Sequence, residues 1–257
     1  MADHIHALFI VEGEVAEPAL VGKIFDTFLP ADATFDFYSY KTNLHTLAEH
    51  IEAFYPDFDD YVDVLGVLRE LEQDEERKVI LSGKYTDIFY IFDFEPQNHT
   101  LHFDTIAKLF DHLNDSADQG KLFINYPMLE SYKHLREMPD HAFKDRTVSL
   151  EDCLNYKQQI DAESAYQDLR ALNYQTLTSI IVHHLRKANH TLTDRYELPE
   201  KDAFLDWNHQ TIFDHECALA EQEKRVSVLN TCVFVIVDYQ PSNFFKNVQT
   251  HKDQFLI

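Results

Sequence analysis

Two short apolar runs along the chain end in acidic residues. Residues 7–11 lead directly into Glu12, and residues 88–92 lead directly into Asp93. Continuous apolar runs of this length, rich in β-branched and aromatic residues, are typical of strands that are buried on both faces of a parallel sheet. We therefore predict two buried strands, each with carboxylates at its carboxyl end.

Helical and strand-like patterns alternate over the first 145 residues. The apolar spacing and the cap residues predict helices at Pro18 to Leu29, Leu44 to Phe54 with Asn43 as the cap, Tyr61 to Leu71, Phe103 to Leu113, and Met128 to Arg136. Further strands are predicted at Phe35 to Tyr40 and Lys121 to Ile124. This alternation predicts an α/β fold, a mainly parallel sheet flanked by helices.

The pattern changes near residue 145. The predicted helices of the later part are Gln158 to Leu172, Gln175 to Ala188, Gln210 to Glu223, and Arg225 to Tyr239. The apolar run Thr231 to Val237 also fits a buried strand, because periodicity does not separate the two at that length. We predict a domain of residues 1–145 that carries the sheet and a mostly helical C-terminal part of residues 146–257.

The acidic residues at the strand ends predict a metal site. Ligands of open α/β sheets bind outside the carboxyl ends of the strands, so Glu12 and Asp93 face one cleft if their strands are neighbours. Carboxylates that are packed closely repel each other unless a cation neutralises them, and hard divalent cations prefer oxygen ligands. Glu14 and Glu17 are weaker candidates, because acids at this position also stabilise the N-terminus of the following helix.

The spacing of these acids resembles the TOPRIM domain, the Mg²⁺-binding module of topoisomerases, primases and several nucleases. Val11-Glu12-Gly13-Glu14 matches its first motif, and Asp93-Phe94-Glu95 matches its Asp-x-Asp motif with Glu in place of the final Asp. The stretch from Val11 to Pro18 is most similar to the nucleases of bacterial anti-phage systems, the overcoming-lysogenisation-defect type and its relatives. The resemblance covers about the first half of the chain.

The resemblance implies a TOPRIM-like fold and a set of site residues. The implied catalytic residues are Glu12, Asp93, Glu95 and Lys133, and the implied ligands of Mg²⁺ or Mn²⁺ are Glu12, Glu17, Asp93, Glu95 and Glu130. Glu130 and Lys133 lie three positions apart on a predicted helix and so share a face. An ordinary exposed ion pair between them is an equal alternative.

The charge of the chain bears on this function. Forty-five acidic residues against twenty-two basic ones give a net charge of −23, which opposes the approach of a phosphate backbone. A nuclease of this composition needs a local basic patch, bound metal or a partner protein with a positive surface. The acidity also fits a simple role in solubility.

Other classes of protein are disfavoured. Cys153, Cys217 and Cys232 are widely spaced and odd in number, which predicts reduced cysteines in a cytoplasmic protein. No apolar stretch is long enough to span a membrane, and no signal peptide is evident. No P-loop, His-Glu-x-x-His motif or local signature of a hydrolase triad occurs, and the pairs His183-His184 and His209 with His215 lack zinc spacing.

The resulting hypothesis is a metal-dependent nuclease, an endonuclease in particular, that acts on DNA or RNA. The resemblance implies a toxic effector of antiviral defence that works beside an ATPase partner, and a homodimer is compatible with it. The rival hypothesis is a non-catalytic binding or regulatory subunit that keeps the same α/β body.

Overall fold

The computed structural model of the protein describes residues 6–29, 33–56, 61–96 and 102–251. The strands of this part of the chain are β1 (His6–Val11), β2 (Thr34–Ser39), β3 (Asp87–Asp93), β4 (Asn114–Asp115), β5 (Gly120–Asn125), β6 (Thr147–Ser149) and β7 (Arg225–Ser227). The α-helices are α1 (Ala16–Phe28), α2 (Leu44–Phe54), α3 (Val64–Leu71), α4 (Glu75–Leu81), α5 (Phe103–His112), α6 (Leu150–Cys153), α7 (Tyr156–Glu163), α8 (Tyr174–Thr193), α9 (Lys201–Leu205), α10 (His209–Glu223), α11 (Val235–Tyr239) and α12 (Pro241–Thr250). Short 3₁₀ helices lie at Leu129–Lys133, His141–Asp145, Leu169–Ala171 and Cys232–Phe234.

The described chain forms two compact units. The first contains residues 6–18, 33–56, 61–93 and 102–123, and the second contains residues 19–29, 94–96 and 124–251. The predicted boundary at residue 145 thus falls inside the second unit. The physical reason is that the segment after β5 pairs with the C-terminal part of the chain, through a bridge between Tyr126 and Leu229 and through the antiparallel pair β6–β7.

A mostly parallel sheet in the order β2-β1-β3-β5-β4 confirms the predicted α/β class. Strand β1 is parallel to both β2 and β3, and β4 is antiparallel to β5. Residues 7–11 of β1 are completely buried, as expected for a strand covered on both faces. The rings of Phe37 and Phe89 stack on that of Phe9, with centroid separations of 5.4 and 5.1 Å.

The helices of the first unit follow their local signals. Asn43 caps α2 as predicted, since its side-chain oxygen accepts a hydrogen bond from the backbone nitrogen of Thr46 at 2.9 Å. Helix α3 begins later than predicted because Asp63 caps it through Gly66. Helix α4, capped by Asp74, was not predicted.

Two predicted helices of the second unit are wrong in extent. The segment Met128 to Arg136 is only a 3₁₀ helix over Leu129–Lys133, because Asn230 binds the carbonyl oxygen of Leu129 at 2.8 Å. The predicted helix Gln158 to Leu172 ends at Glu163. There the Ser164 hydroxyl donates to the carbonyl oxygen of Lys133 and accepts from the nitrogen of Tyr166, which turns the chain.

The segment Arg225 to Tyr239 is also not one helix. Its first residues form β7, and the buried run from Thr231 is helical from Cys232 to Val237 rather than a strand. The hydroxyl of Thr231 donates to the carbonyl oxygen of Ile124 at 2.8 Å, and the Asn125 side chain accepts from the nitrogen of Cys232, so contacts with a distant segment set this turn. Among the described helices, none is long and apolar enough to cross a lipid bilayer.

Candidate active site

Glu12 and Asp93 lie at the same edge of the sheet. Strands β1 and β3 are parallel neighbours, with Val11 opposite Ile91, so both strands end at this edge. The Glu12 carboxylate accepts a hydrogen bond from the backbone N–H of Asp93, with Oε2 3.4 Å from the nitrogen. The Glu12 carboxylate therefore reaches the residue that ends the neighbouring strand.

A tight turn follows β1 and presents Glu12. Glu17 bridges this turn, because its Oε1 accepts a hydrogen bond from the backbone nitrogen of Gly13 at 3.2 Å. The Glu17 side chain is buried. A Cβ atom at Gly13 would stand 2.8 Å from Glu17 Oε2, so a larger residue here would displace the Glu17 carboxylate. Glu17 therefore supports the turn, while Glu14 is exposed and pairs with Lys41 at 2.6 Å. That hydrogen bond lowers the pKa of Glu14.

Glu95 follows β3 and belongs to the second unit. Its backbone is left-handed, with φ of +43°, so the chain leaves strand geometry immediately after Asp93. Phe94 anchors this turn, because its nitrogen donates to the carbonyl oxygen of Asn125 at 3.0 Å and its ring packs on those of Tyr126 and Phe213. A left-handed non-glycine residue costs about 1–2 kcal/mol, and such strain is concentrated at functional sites.

Glu130 and Lys133 do not pair with each other. Glu130 binds Lys157 at 3.0 Å, and Lys133 binds Asp161 at 3.4 Å, both partners being on α7. The alternative of an exposed ion pair between the two is therefore wrong. Both side chains are mostly covered, since 16% of Glu130 and 13% of Lys133 is exposed.

The donor set of the first unit limits which metal could bind. In the described part of the chain, no group of three His, Cys, Asp or Glu residues is arranged to hold a metal ion. Mg²⁺ is nevertheless commonly bound through one or two carboxylates, with water and substrate phosphate as the remaining ligands. Glu12 and Asp93 fit that open type of site, and they do not fit a closed cage of protein ligands such as a structural zinc site.

The two histidines of the pair on α8 form hydrogen bonds with backbone groups of the second unit. His183 Nε2 accepts from the nitrogen of Asp140 at 3.0 Å, and His184 Nδ1 accepts from the nitrogen of Asn230 at 3.0 Å. Burial lowers the pKa of both imidazoles, that of His184 to about 3. Cys153 and Cys232 are buried, and Cys217 is half-buried.

Lys41 lies at this edge of the sheet and was not among the predicted site residues. Strand β2 is parallel to β1, and Val11 lies opposite Ser39, so β2 ends at the same edge as β1. The backbone nitrogen of Lys41 donates to the carbonyl oxygen of Glu12 at 2.9 Å. The predicted strand Phe35 to Tyr40 could have indicated this position. Lys41 directly follows that strand, and the residue after a parallel strand lies at the same edge as Glu12 and Asp93.

No protein-family model, curated protein or solved structure matches this chain.

Proposed function

We propose that this chain is a TOPRIM-like nuclease dependent on Mg²⁺ or Mn²⁺. The observation that carries the proposal is the Glu12 carboxylate 3.4 Å from the backbone nitrogen of Asp93, at the carboxyl ends of two adjacent parallel strands. Carboxylates at this edge, on rigid strands, are placed where α/β sheets bind their ligands. The motif resemblance supports phosphodiester hydrolysis as the reaction.

The protein residues have separate roles in this proposal. Glu12 and Asp93 would hold the ion, with Glu12 oriented by the Asp93 N–H and its turn supported by Glu17. When bound, the ion would bind the scissile phosphate and lower the pKa of the attacking water. For Glu95, Glu130 and Lys133, a role in this function is supported by the motif resemblance alone.

The net charge shapes the biological role that we propose. A chain of net charge −23 repels DNA and RNA, so a more basic partner would supply part of the nucleic-acid surface. We propose an effector of cytoplasmic anti-phage defence that acts together with an ATPase partner. Dependence on a partner would also keep a toxic nuclease silent until it is needed.

A binding or regulatory subunit is the second candidate function. It is favoured by the observation that several implied site residues already bind other protein groups: Glu17 binds Gly13, Glu130 binds Lys157, and Lys133 binds Asp161. In that case the edge with Glu12 and Asp93 would serve folding or partner binding.

Calorimetric titration with Mg²⁺ and with Mn²⁺ distinguishes the two candidates. The wild type should bind, Glu12→Gln should lose binding, and Glu14→Gln, an exposed acid of the same turn, should bind as the wild type does. A parallel assay follows cleavage of single-stranded and duplex DNA and RNA. Absence of metal binding by the wild type, or equal binding by Glu12→Gln, would reject the nuclease proposal.

A further inference from the structure

A cleft of about 450 Å³ opens beside Lys41 in the first unit. Its walls come from the end of β2, from α2 and from the segment that joins α3 to α4. The lining residues are Tyr38, Tyr40, Lys41, Thr42, His50, Leu71, Glu72, Gln73, Asp74 and Arg77. This volume is in the range of small-molecule sites, about 300–1,000 Å³.

The carboxylates that line this cleft already accept hydrogen bonds from protein donors. Glu72 accepts from the nitrogens of Gln73 and Asp74 on one oxygen, and from the Tyr38 hydroxyl and Arg77 Nε on the other. Burial disfavours the charge of this carboxylate, but these four hydrogen bonds lower its pKa to about 2. Asp74 accepts from the nitrogens of Glu76 and Arg77 as the cap of α4.

The groups that remain for a ligand are mainly donors. Lys41 carries three N–H donors and gives one to Glu14. Thr42 also lines the cleft, and the His50 ring contacts the Tyr40 hydroxyl through Nδ1, which leaves Nε2 on the other side of the ring. Hydrogen-bond donors and a cation beside an aromatic ring suit a ligand with a phosphate and a flat base.

The backbone of Lys41 ties this cleft to the candidate metal site. Lys41 is left-handed, with φ of +64°, and its N–H donates to the carbonyl oxygen of Glu12. The Ser39 hydroxyl donates to the same carbonyl oxygen at 3.3 Å. A left-handed lysine is uncommon, and this turn places Lys41 in the wall of the cleft with its backbone hydrogen-bonded to that of Glu12.

We propose that this cleft binds one nucleotide of single-stranded nucleic acid, next to the phosphate that is cleaved. Lys41 contacts the phosphate of this nucleotide, and Tyr40 provides the aromatic surface for its base. A base fits such a cleft only when it has left the duplex stack, so the substrate class is single-stranded DNA or RNA. The proposal rests on the proposed nuclease function for the position of the scissile phosphate, but its binding step is separate from cleavage.

Fluorescence anisotropy with a labelled single-stranded oligonucleotide, in chelator and at about 50 mM salt, measures this binding without cleavage. Lys41→Asn removes the ammonium and keeps a residue that tolerates the left-handed backbone. Lys224→Asn is the matched control, because Lys224 is an exposed left-handed lysine of the second unit, with φ of +56°. Lys41→Asn should weaken binding about tenfold, as for loss of one charge-assisted hydrogen bond, and Lys224→Asn should not.

Tyr40→Phe and Tyr40→Leu test the aromatic surface. The phenylalanine variant should bind as the wild type does, and the leucine variant should bind several-fold more weakly because the base loses its stacking partner. Competition by a mononucleotide would show that the nucleotide itself is recognised, and competition by oligonucleotides alone would show that the cleft is a subsite for a longer strand.

The outcomes separate this inference from the nuclease proposal. Binding that depends on Lys41 and Tyr40, in a protein that cleaves no nucleic acid with any metal, supports nucleotide binding in the cleft and rejects the nuclease proposal. Cleavage that depends on Glu12, with equal binding by Lys41→Asn and Lys224→Asn, overturns nucleotide binding in the cleft and leaves the nuclease proposal standing. Failure of the wild type to bind, or tighter binding of duplex than of single strands, also overturns it.

Discussion

The carboxylate of Glu12 accepts a hydrogen bond from the backbone nitrogen of Asp93, a residue 81 positions away in the chain. The acceptor is a side-chain oxygen, and glutamine carries an equivalent oxygen. The donor is a backbone N–H, which no substitution at Asp93 except proline removes. Amide variants of both residues can therefore keep this bond while they lose charge, which makes them suitable tests of metal binding.

Glu12→Gln and Asp93→Asn should melt at or slightly above the wild-type temperature without metal. Each variant removes one of two carboxylates that repel each other and keeps the hydrogen bond. Mg²⁺ should raise the wild-type midpoint by mass action and leave both variants nearly unmoved. Thermal unfolding with and without Mg²⁺ measures both effects.

A lower melting temperature of these variants in the absence of metal would identify both acids as structural groups. The nuclease proposal would then lose its main support. Glu14→Gln, in the same turn, should respond to Mg²⁺ as the wild type does.

Glu17→Ala should destabilise the first unit by about 1–2 kcal/mol. The substitution removes the acceptor for the half-buried Gly13 N–H and an acid from the first turn of α1. Urea unfolding of Glu17→Ala beside Glu14→Ala measures the difference, and Glu14→Ala should change stability little because its ion pair is exposed. Equal midpoints for the two variants would contradict a supporting role for Glu17.

The second unit should lose stability as the pH falls from about 7 to 5. Burial lowers the pKa of His184 to about 3 and also lowers that of His183, whereas an unfolded histidine titrates near 6.5. Below about pH 6.5 the unfolded chain therefore binds protons that the native chain does not, and each histidine contributes up to about 1.4 kcal/mol per pH unit.

Urea unfolding at several pH values between 7 and 5 tests this dependence. In His184→Asn the slope of unfolding free energy against pH should be smaller by up to about 1.4 kcal/mol per pH unit, because one histidine no longer takes up a proton on unfolding. The variant should also be less stable than the wild type at pH 7. His141→Asn, which replaces an exposed histidine, should keep the wild-type slope. An unchanged slope in His184→Asn would show that His184 is not the group responsible.

The purified chain should be a poor nuclease at physiological salt. Its net charge of −23 opposes the approach of nucleic acid, and a basic partner should remove that barrier. Cleavage rates with and without the partner ATPase, across a salt series, measure the effect. Strong cleavage by the chain alone would show that a local surface outweighs the net charge.

Elements with local signals could be predicted from the amino-acid sequence. The apolar runs at residues 7–11 and 88–92 predicted β1 and β3, because burial on both faces requires continuous apolar side chains. Asn43 predicted the start of α2, because a cap acts on backbone groups within one turn. The parallel-strand rule then placed Glu12 and Asp93 at one edge.

Contacts between distant groups could not be predicted, because they form only when the chain has folded. Asn230 binds the backbone of the segment 129–133, so that segment is a 3₁₀ helix although its residues suit an α-helix. Glu130 and Lys133 pair with α7 instead of with each other, and Lys41 is joined to Glu12. These contacts depend on residues that are far apart in the chain, and no local pattern encodes the energy of a hydrogen bond or ion pair whose partner is set by the fold.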